Sequence, residues 1–238
     1  MPCRSFLPDL REFVGLITAK AYVRPGDKYN LALSKNREWA SRIASEKPDL
    51  CATLAKGQSP EILWLGCSDS RCPETTILDM EPGDVFVHRN IANIVHPTDL
   101  SINAVIDYAV DHLKVKHVVL CGHTSCGGVA AALGNTRLGL IDKWLMPLRT
   151  LRKDNIKLLE SLPDKEAALK LVELNVQNGV KALKENHTIL DAIGDRGLQV
   201  HGVIYDIAKG ELHEVDIEED EETSTIRQKA FKVSAATK

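Results

Sequence analysis

Ile62-Leu63-Trp64-Leu65-Gly66-Cys67, running directly into Ser68-Asp69-Ser70-Arg71, is the stretch on which the fold turns. An apolar run without polar alternation suits a strand buried on both faces, as in parallel sheets. It stops abruptly at a cysteine, followed by a carboxylate and a guanidinium. The same construction returns at His117-Val118-Val119-Leu120-Cys121, which leads into Gly122-His123-Thr124-Ser125-Cys126. Val85-Phe86-Val87-His88 reads as a further strand after the Pro82-Gly83-Asp84 turn. Between these last two, Ile102, Val105, Ile106, Ala109, Val110 and Leu113 recur at helical spacing, with Thr98 or Asp99 able to cap the start. The pattern predicts an α/β fold with a central, mostly parallel β-sheet flanked by helices, its site outside the carboxyl ends of the strands.

Outward from that core, Asn30 to Ser45 carries an apolar pattern at helical spacing that Pro48 ends, within an N-terminal helical arm spanning 1–57. Gly127-Gly128 opens a helix, Leu140 to Arg152 forms the next, and Lys165 to Glu185 a long one after Pro163. Leu198 to Ile207 reads as a parallel strand and Glu211 to Ile217 as an antiparallel edge strand. The acidic run Glu218 to Glu222 reads as the start of a solvated, polar C-terminal tail over 218–238. One domain is expected, with the α/β core at 58–217.

A formal net charge of -3 offers no basic footprint for phosphates, so nucleic acid is not an expected partner. No apolar run is long enough to span a bilayer, and the start lacks a charged segment followed by an apolar one. Asp9 and Glu12 argue against reading Arg4, Arg11, Lys20 and Arg24 as an organellar leader, so cytoplasm is expected ahead of mitochondrion.

Six cysteines in 238 residues are too sparse for a disulfide framework. Cys3 and Cys51 read as bystanders. Cys67, His123 and Cys126 make three soft ligands, and a catalytic zinc takes three protein ligands and keeps a fourth position for water or substrate. The pairs Cys67 with Cys72 and Cys121 with Cys126 keep a closed four-cysteine structural zinc as an alternative. That reading leaves Asp69, Arg71 and His123 unexplained, and Cys121 suits a small buried hydrophobe. His88, His96, His112, His117, His187, His201 and His213 read as structural or surface residues. Asp69 and Arg71, two apart, can pair in an extended or looped segment. Two thiolates neutralise a divalent zinc, so its water should ionise above the value of about 7 found with three histidines. Activity rising on the alkaline side of neutrality is therefore expected.

The combination C-x-D-x-R plus H-x-x-C, with the run Pro82 to Asn93 and the glycines beside Cys121 and Cys126, resembles the signature of the beta-class carbonic anhydrases. The resemblance implies one zinc ion per subunit on Cys67, His123 and Cys126, with attack of zinc hydroxide on carbon dioxide to give bicarbonate and a proton. It also implies an Asp69–Arg71 dyad that orients the nucleophile, with no organic cofactor. Gln58 would donate to the substrate, and Phe86, Ile91 and Tyr108, with Gly127 and Gly128, would shape its pocket across a homodimer interface, in a dimer or tetramer. Trp64, Arg89 and Tyr205 match a regulatory bicarbonate pocket of one bacterial subgroup, in which Asp69 can close onto zinc; the open form is the expectation. The alternatives are hydrolysis of a related molecule such as carbon disulfide on the same scaffold, and a non-catalytic zinc or thiol-switch protein. The H-x-E and P-C-x-x-C signature of zinc deaminases is absent.

Overall fold

A computed structural model describes residues 27–217 and 219–233. The leader reading over residues 1 to 24, and Cys3, lie outside the described residues. The chain divides into two compact units, with the boundary between Lys56 and Gly57. The first holds α1 (Lys28–Glu46), capped by Asp27, whose carboxylate accepts from Tyr29 N, and the short α2 (Leu50–Leu54).

The second unit is built on five strands: β1 (Ile62–Cys67), β2 (Val85–Asn90), β3 (His117–His123), β4 (Gln199–Asp206) and β5 (Glu211–Glu214). Their order is β2-β1-β3-β4-β5, parallel except for β5. Strand β2 runs two residues beyond the expected His88, because Arg89 and Asn90 keep register with Gly66 and Cys67. Strand β5 stops three residues short of the expected Ile217.

One sheet face is the thick one. Leu63, Leu65, Val118 and Leu120 pack there against Ile102 and Ile106 of α4 (Leu100–Asp107). After α4 one turn widens, Leu113 N donating to Tyr108 O five residues back, and this turn carries Tyr108 to a ring stack with Phe86. The opposite face is covered by the short α3 (Glu74–Ile77) and its flanking loop, where Trp64, Cys121, Val203, Tyr205 and Cys72 form a second core.

Helix α5 (Gly127–Leu133) opens as expected, but the expected helix over Leu140 to Arg152 is two: α6 (Leu140–Trp144) and α7 (Met146–Asp154). Pro147 lacks the N–H a continuous helix needs and instead sits in the first turn of α7. Then come α8 (Ile156–Glu160), α9 (Asp164–Glu185) and α10 (His187–Arg196). Helix α9 lays Leu171, Val172, Val176, Gly179, Val180 and Leu183 along one buried stripe against the sheet. Asn186 breaks it from α10, its extended backbone freeing a side chain that accepts from Thr188 N and Ile189 N.

Part of the expected polar C-terminal tail is regular. Glu221–Phe231 is a helix, α11, capped by Asp220, which accepts from Thr223 N. Glu221 and Glu222 suit its positive N-terminal end, and Glu219 pairs with Lys184 and Arg227. Its surface mixes charged side chains with the exposed Ile226 and Phe231; solvated acids and a regular helix are compatible.

Candidate metal centre and active site

Three chain segments meet at the carboxyl ends of β1 and β3. Cys67 ends β1, His123 ends β3, and Cys126 follows on a tight turn through Ser125, whose φ is 57°. Their ligand atoms all lie within 4.8 Å of one another, and all three residues are buried. His123 Nδ1 is 2.9 Å from the Thr124 carbonyl oxygen, so it carries the proton and donates it there. That leaves Nε2 with its lone pair free, and this buried atom has no hydrogen-bond partner. An orphaned imidazole nitrogen facing two sulfurs fits a thiophilic metal such as zinc.

The sulfurs differ in charge. The neighbouring Cys126 thiol, against burial, and His123 push Cys67 down to about 4, while the Cys67 sulfur and burial push Cys126 up. Burial tends to lower His123, but the Cys67 sulfur and the Thr124 carbonyl outweigh it and raise the group overall. Ala92 N donates to Cys67 Sγ at 3.3 Å. Ala92 and Asn93 hold left-handed backbone at φ 62° and 45°, a strained pair for non-glycine residues. Asn90 braces it by bonding Ile94 N and O, and Asn175 of α9 donates to Ala92 O at 2.9 Å.

Asp69 is clamped by Arg71: Nε donates to Oδ1 at 2.9 Å, Nη2 to Oδ2 at 2.7 Å, and the backbone N to Oδ1 at 3.0 Å. Arg71 Nη2 also reaches Ser125 O at 3.1 Å, tying the two ligand loops together. The guanidinium holds the Asp69 carboxyl well below the usual carboxylate range, against desolvation by burial. Oδ2 lies 3.9 Å from His123 Nε2, beside the ligand cluster and engaged with arginine.

The four-cysteine alternative fails. Among the described residues the only group of three or more histidine, cysteine or carboxylate side chains with converging ligand atoms is Cys67, His123 and Cys126. Cys121 donates to Gly122 O, and burial pushes its thiol up; burial likewise pushes Cys72 up to about 11.

The other expected site residues divide. Ile91 borders Gly128, where an added Cβ would lie 2.8 Å from Ala92 Cβ and 3.3 Å from Ile91 Cγ2; at Gly127 it would meet nothing within 4 Å. Phe86 and Tyr108 stack with ring centroids 5.7 Å apart. Gln58 is exposed and precedes β1, whereas Cys67 ends it. Trp64 and Tyr205 are core residues on the thin face, and Trp64 folds over Gly66. Arg89 shares that face, but its donors go to Cys67 O and Asp69 O, with Glu74 beside it at 3.7 Å. Sequence reasoning missed this bracing role, as it missed Asn175 and Ser125. Only the nearness of Arg89 to the strand end hinted at it.

The sequence profile described as carbonic anhydrase matches residues 62–212, which include all three ligands and both members of the dyad. The chain belongs to the beta-class carbonic anhydrase family. Family members are enzymes. The crystal structure of the beta-carbonic anhydrase CafA from Aspergillus fumigatus is 59% identical, covers 87% of this chain and 100% of that one, and superposes with a TM-score of 0.87. A structure from a study of two tetrameric beta-carbonic anhydrases of Sordaria macrospora is 56% identical, covering 79% and 96%, with a TM-score of 0.78. A Candida albicans carbonic anhydrase is 47% identical over 70% of this chain, the match spanning 60% of that protein's length.

Proposed function

We propose that the enzyme catalyses reversible hydration of carbon dioxide to bicarbonate and a proton, with one zinc ion per subunit held by Cys67, His123 and Cys126. The convergence of two sulfurs and an unpartnered imidazole nitrogen beside an arginine-clamped carboxylate carries this reading. When bound, zinc would supply Lewis acidity that lets water ionise nearer to neutral pH. Arg71 keeps Asp69 ionised and aimed, so that Oδ2 can accept a hydrogen bond from the attacking species and fix its orientation. The engagement of Asp69 with Arg71 supports the open form. Open space at Gly127 leaves room for a small apolar substrate next to Cys126, with Ile91 as a wall.

A homo-oligomer, dimer or tetramer, completes the reading. Ile91 and Tyr108 are 43% and 47% exposed, apolar surface that a second subunit would cover. Gln58, exposed ahead of β1, would donate to the substrate. A bicarbonate pocket at Trp64, Arg89 and Tyr205 has less support, because Arg89 is already committed to backbone carbonyls. Among the described residues no helix is long and apolar enough to cross a membrane. Separately from that, a cytoplasmic location is part of the proposal.

Stopped-flow hydration assays on wild type and Asp69→Ala, with zinc content measured on the same samples, test the function. Loss of rate by about 10²-fold or more with zinc retained is expected. An unchanged rate would refute the dyad role. A zinc-loaded wild type that is inactive on carbon dioxide but hydrolyses carbon disulfide would replace the substrate, and inactivity on both would favour a thiol-switch protein.

A further inference from the structure

The thin sheet face carries a pair of imidazoles at the end opposite the catalytic ligands. His117 opens β3 opposite Gln199, and His201 lies two residues further along β4, opposite Val119. A separation of two residues puts both side chains on the same face. His117 Nδ1 and His201 Nε2 are 3.2 Å apart, with ring centroids 5.3 Å apart and planes inclined at 41°. Both rings are half-buried. Glu214 of β5, opposite Val203, shares this face beside His201.

We propose that His117 and His201 form a second metal site, a weaker chelate for a divalent late transition metal such as zinc. Two nitrogens bound at about 2.0–2.1 Å to a tetrahedral ion stand roughly 3.3 Å apart, so the pair already has the separation of a chelate, and rotating the rings would turn both lone pairs onto one ion without moving either strand. Imidazole nitrogen is a ligand these metals share. Among the described residues no third histidine, cysteine or carboxylate ligand atom lies within reach of both nitrogens. Water, or Glu214 after a side-chain rotation, fills the remaining positions. That incomplete shell makes the site weaker than the three-ligand one. Burial and the neighbouring His117 lower the pKa of His201, against a smaller opposing effect of Glu214, which favours the neutral form that ligation requires. With both rings neutral, the proton between the nitrogens moves through solvent to the other nitrogen of its own ring, and none is lost overall.

The six-step span of β3 from His117 to His123 is roughly 20 Å, so the two sites load independently. Equilibrium dialysis of the zinc-loaded enzyme against excess Zn2+, followed by metal analysis, is expected to give two zinc ions per subunit in wild type. One ion per subunit is expected in His201→Gln and in His117→Gln, each checked for folding by circular dichroism; two variants guard against misfolding of either. Cys67→Ser should lose the tighter ion and keep the weaker, which separates this proposal from the catalytic assignment. A single zinc in wild type, or a second zinc that survives both histidine substitutions, would overturn it.

Discussion

Helix α9 passes so close to β3 at Gly122 that an added Cβ would lie 2.8 Å from Val176 Cγ2 and 3.0 Å from Val172 Cγ1. Both valines are buried, and β-branched side chains have little χ1 freedom with which to retreat. Gly122→Ala should gain about 0.5–1 kcal/mol by restricting the unfolded chain. Overpacking costs about 1–3 kcal/mol, and two contacts this short against stiff neighbours place it in the upper half of that range. The net expectation is a loss of about 1–2 kcal/mol, or a Tm lower by roughly 2–8 °C for a chain of this size. Gly122 immediately precedes His123, and α9 also holds the loop behind Cys67 through Asn175 and Ala92 O. The same displacement should therefore weaken zinc binding by about tenfold or more, as substitutions supporting a ligand do. Thermal unfolding and competition with a chromophoric chelator measure both effects. Gly127→Ala, with open space at its Cβ position, is the control and should change stability by less than about 0.5 kcal/mol. A Gly122→Ala enzyme with wild-type Tm and zinc affinity would refute the claim that close packing of β3 on α9 sets the ligand geometry.

Proton release on zinc uptake should depend on pH in a defined sense. Cys67 at about 4 is already a thiolate at neutral pH, whereas Cys126 retains its proton and His123 is raised above its ordinary value. Zinc takes deprotonated ligands, so calorimetry in buffers of different ionisation enthalpy should show more than one proton near pH 6, falling toward one by pH 9; release near two at pH 9 would mean that Cys67 also keeps its proton. Asn175→Ala should leave the buried Ala92 carbonyl unpaired and cost about 1–3 kcal/mol in a denaturant titration. A change below about 0.5 kcal/mol would show that the strained 92–93 turn does not need that bond.

The sheet was legible because β1 and most of β3 are apolar on both faces, and the ligands were legible because they stop those strands. That Asp69 and Arg71 could pair was readable from spacing, while their role came from the resemblance, and the structure joins them through side-chain and backbone bonds. What escaped were features set by tertiary contact. No glycine or proline marks the break between α9 and α10; the Asn186 side chain makes it. Helix α11 was hidden by its acidic start, because charge reports solvation and not backbone conformation. The bracing roles of Arg89 and Asn175 depend on backbone carbonyls 20 and 83 residues away, which carry no sequence signal.

The central claim is a zinc ion on two sulfurs and one imidazole nitrogen with one position left over. X-ray absorption at the zinc edge of the purified, active enzyme, dialysed until one zinc per subunit remains, tests it directly. The account predicts two sulfurs at about 2.3 Å and two nitrogen or oxygen scatterers at about 2.0–2.1 Å. A shell of four sulfurs, or full activity in metal-free protein, would contradict it.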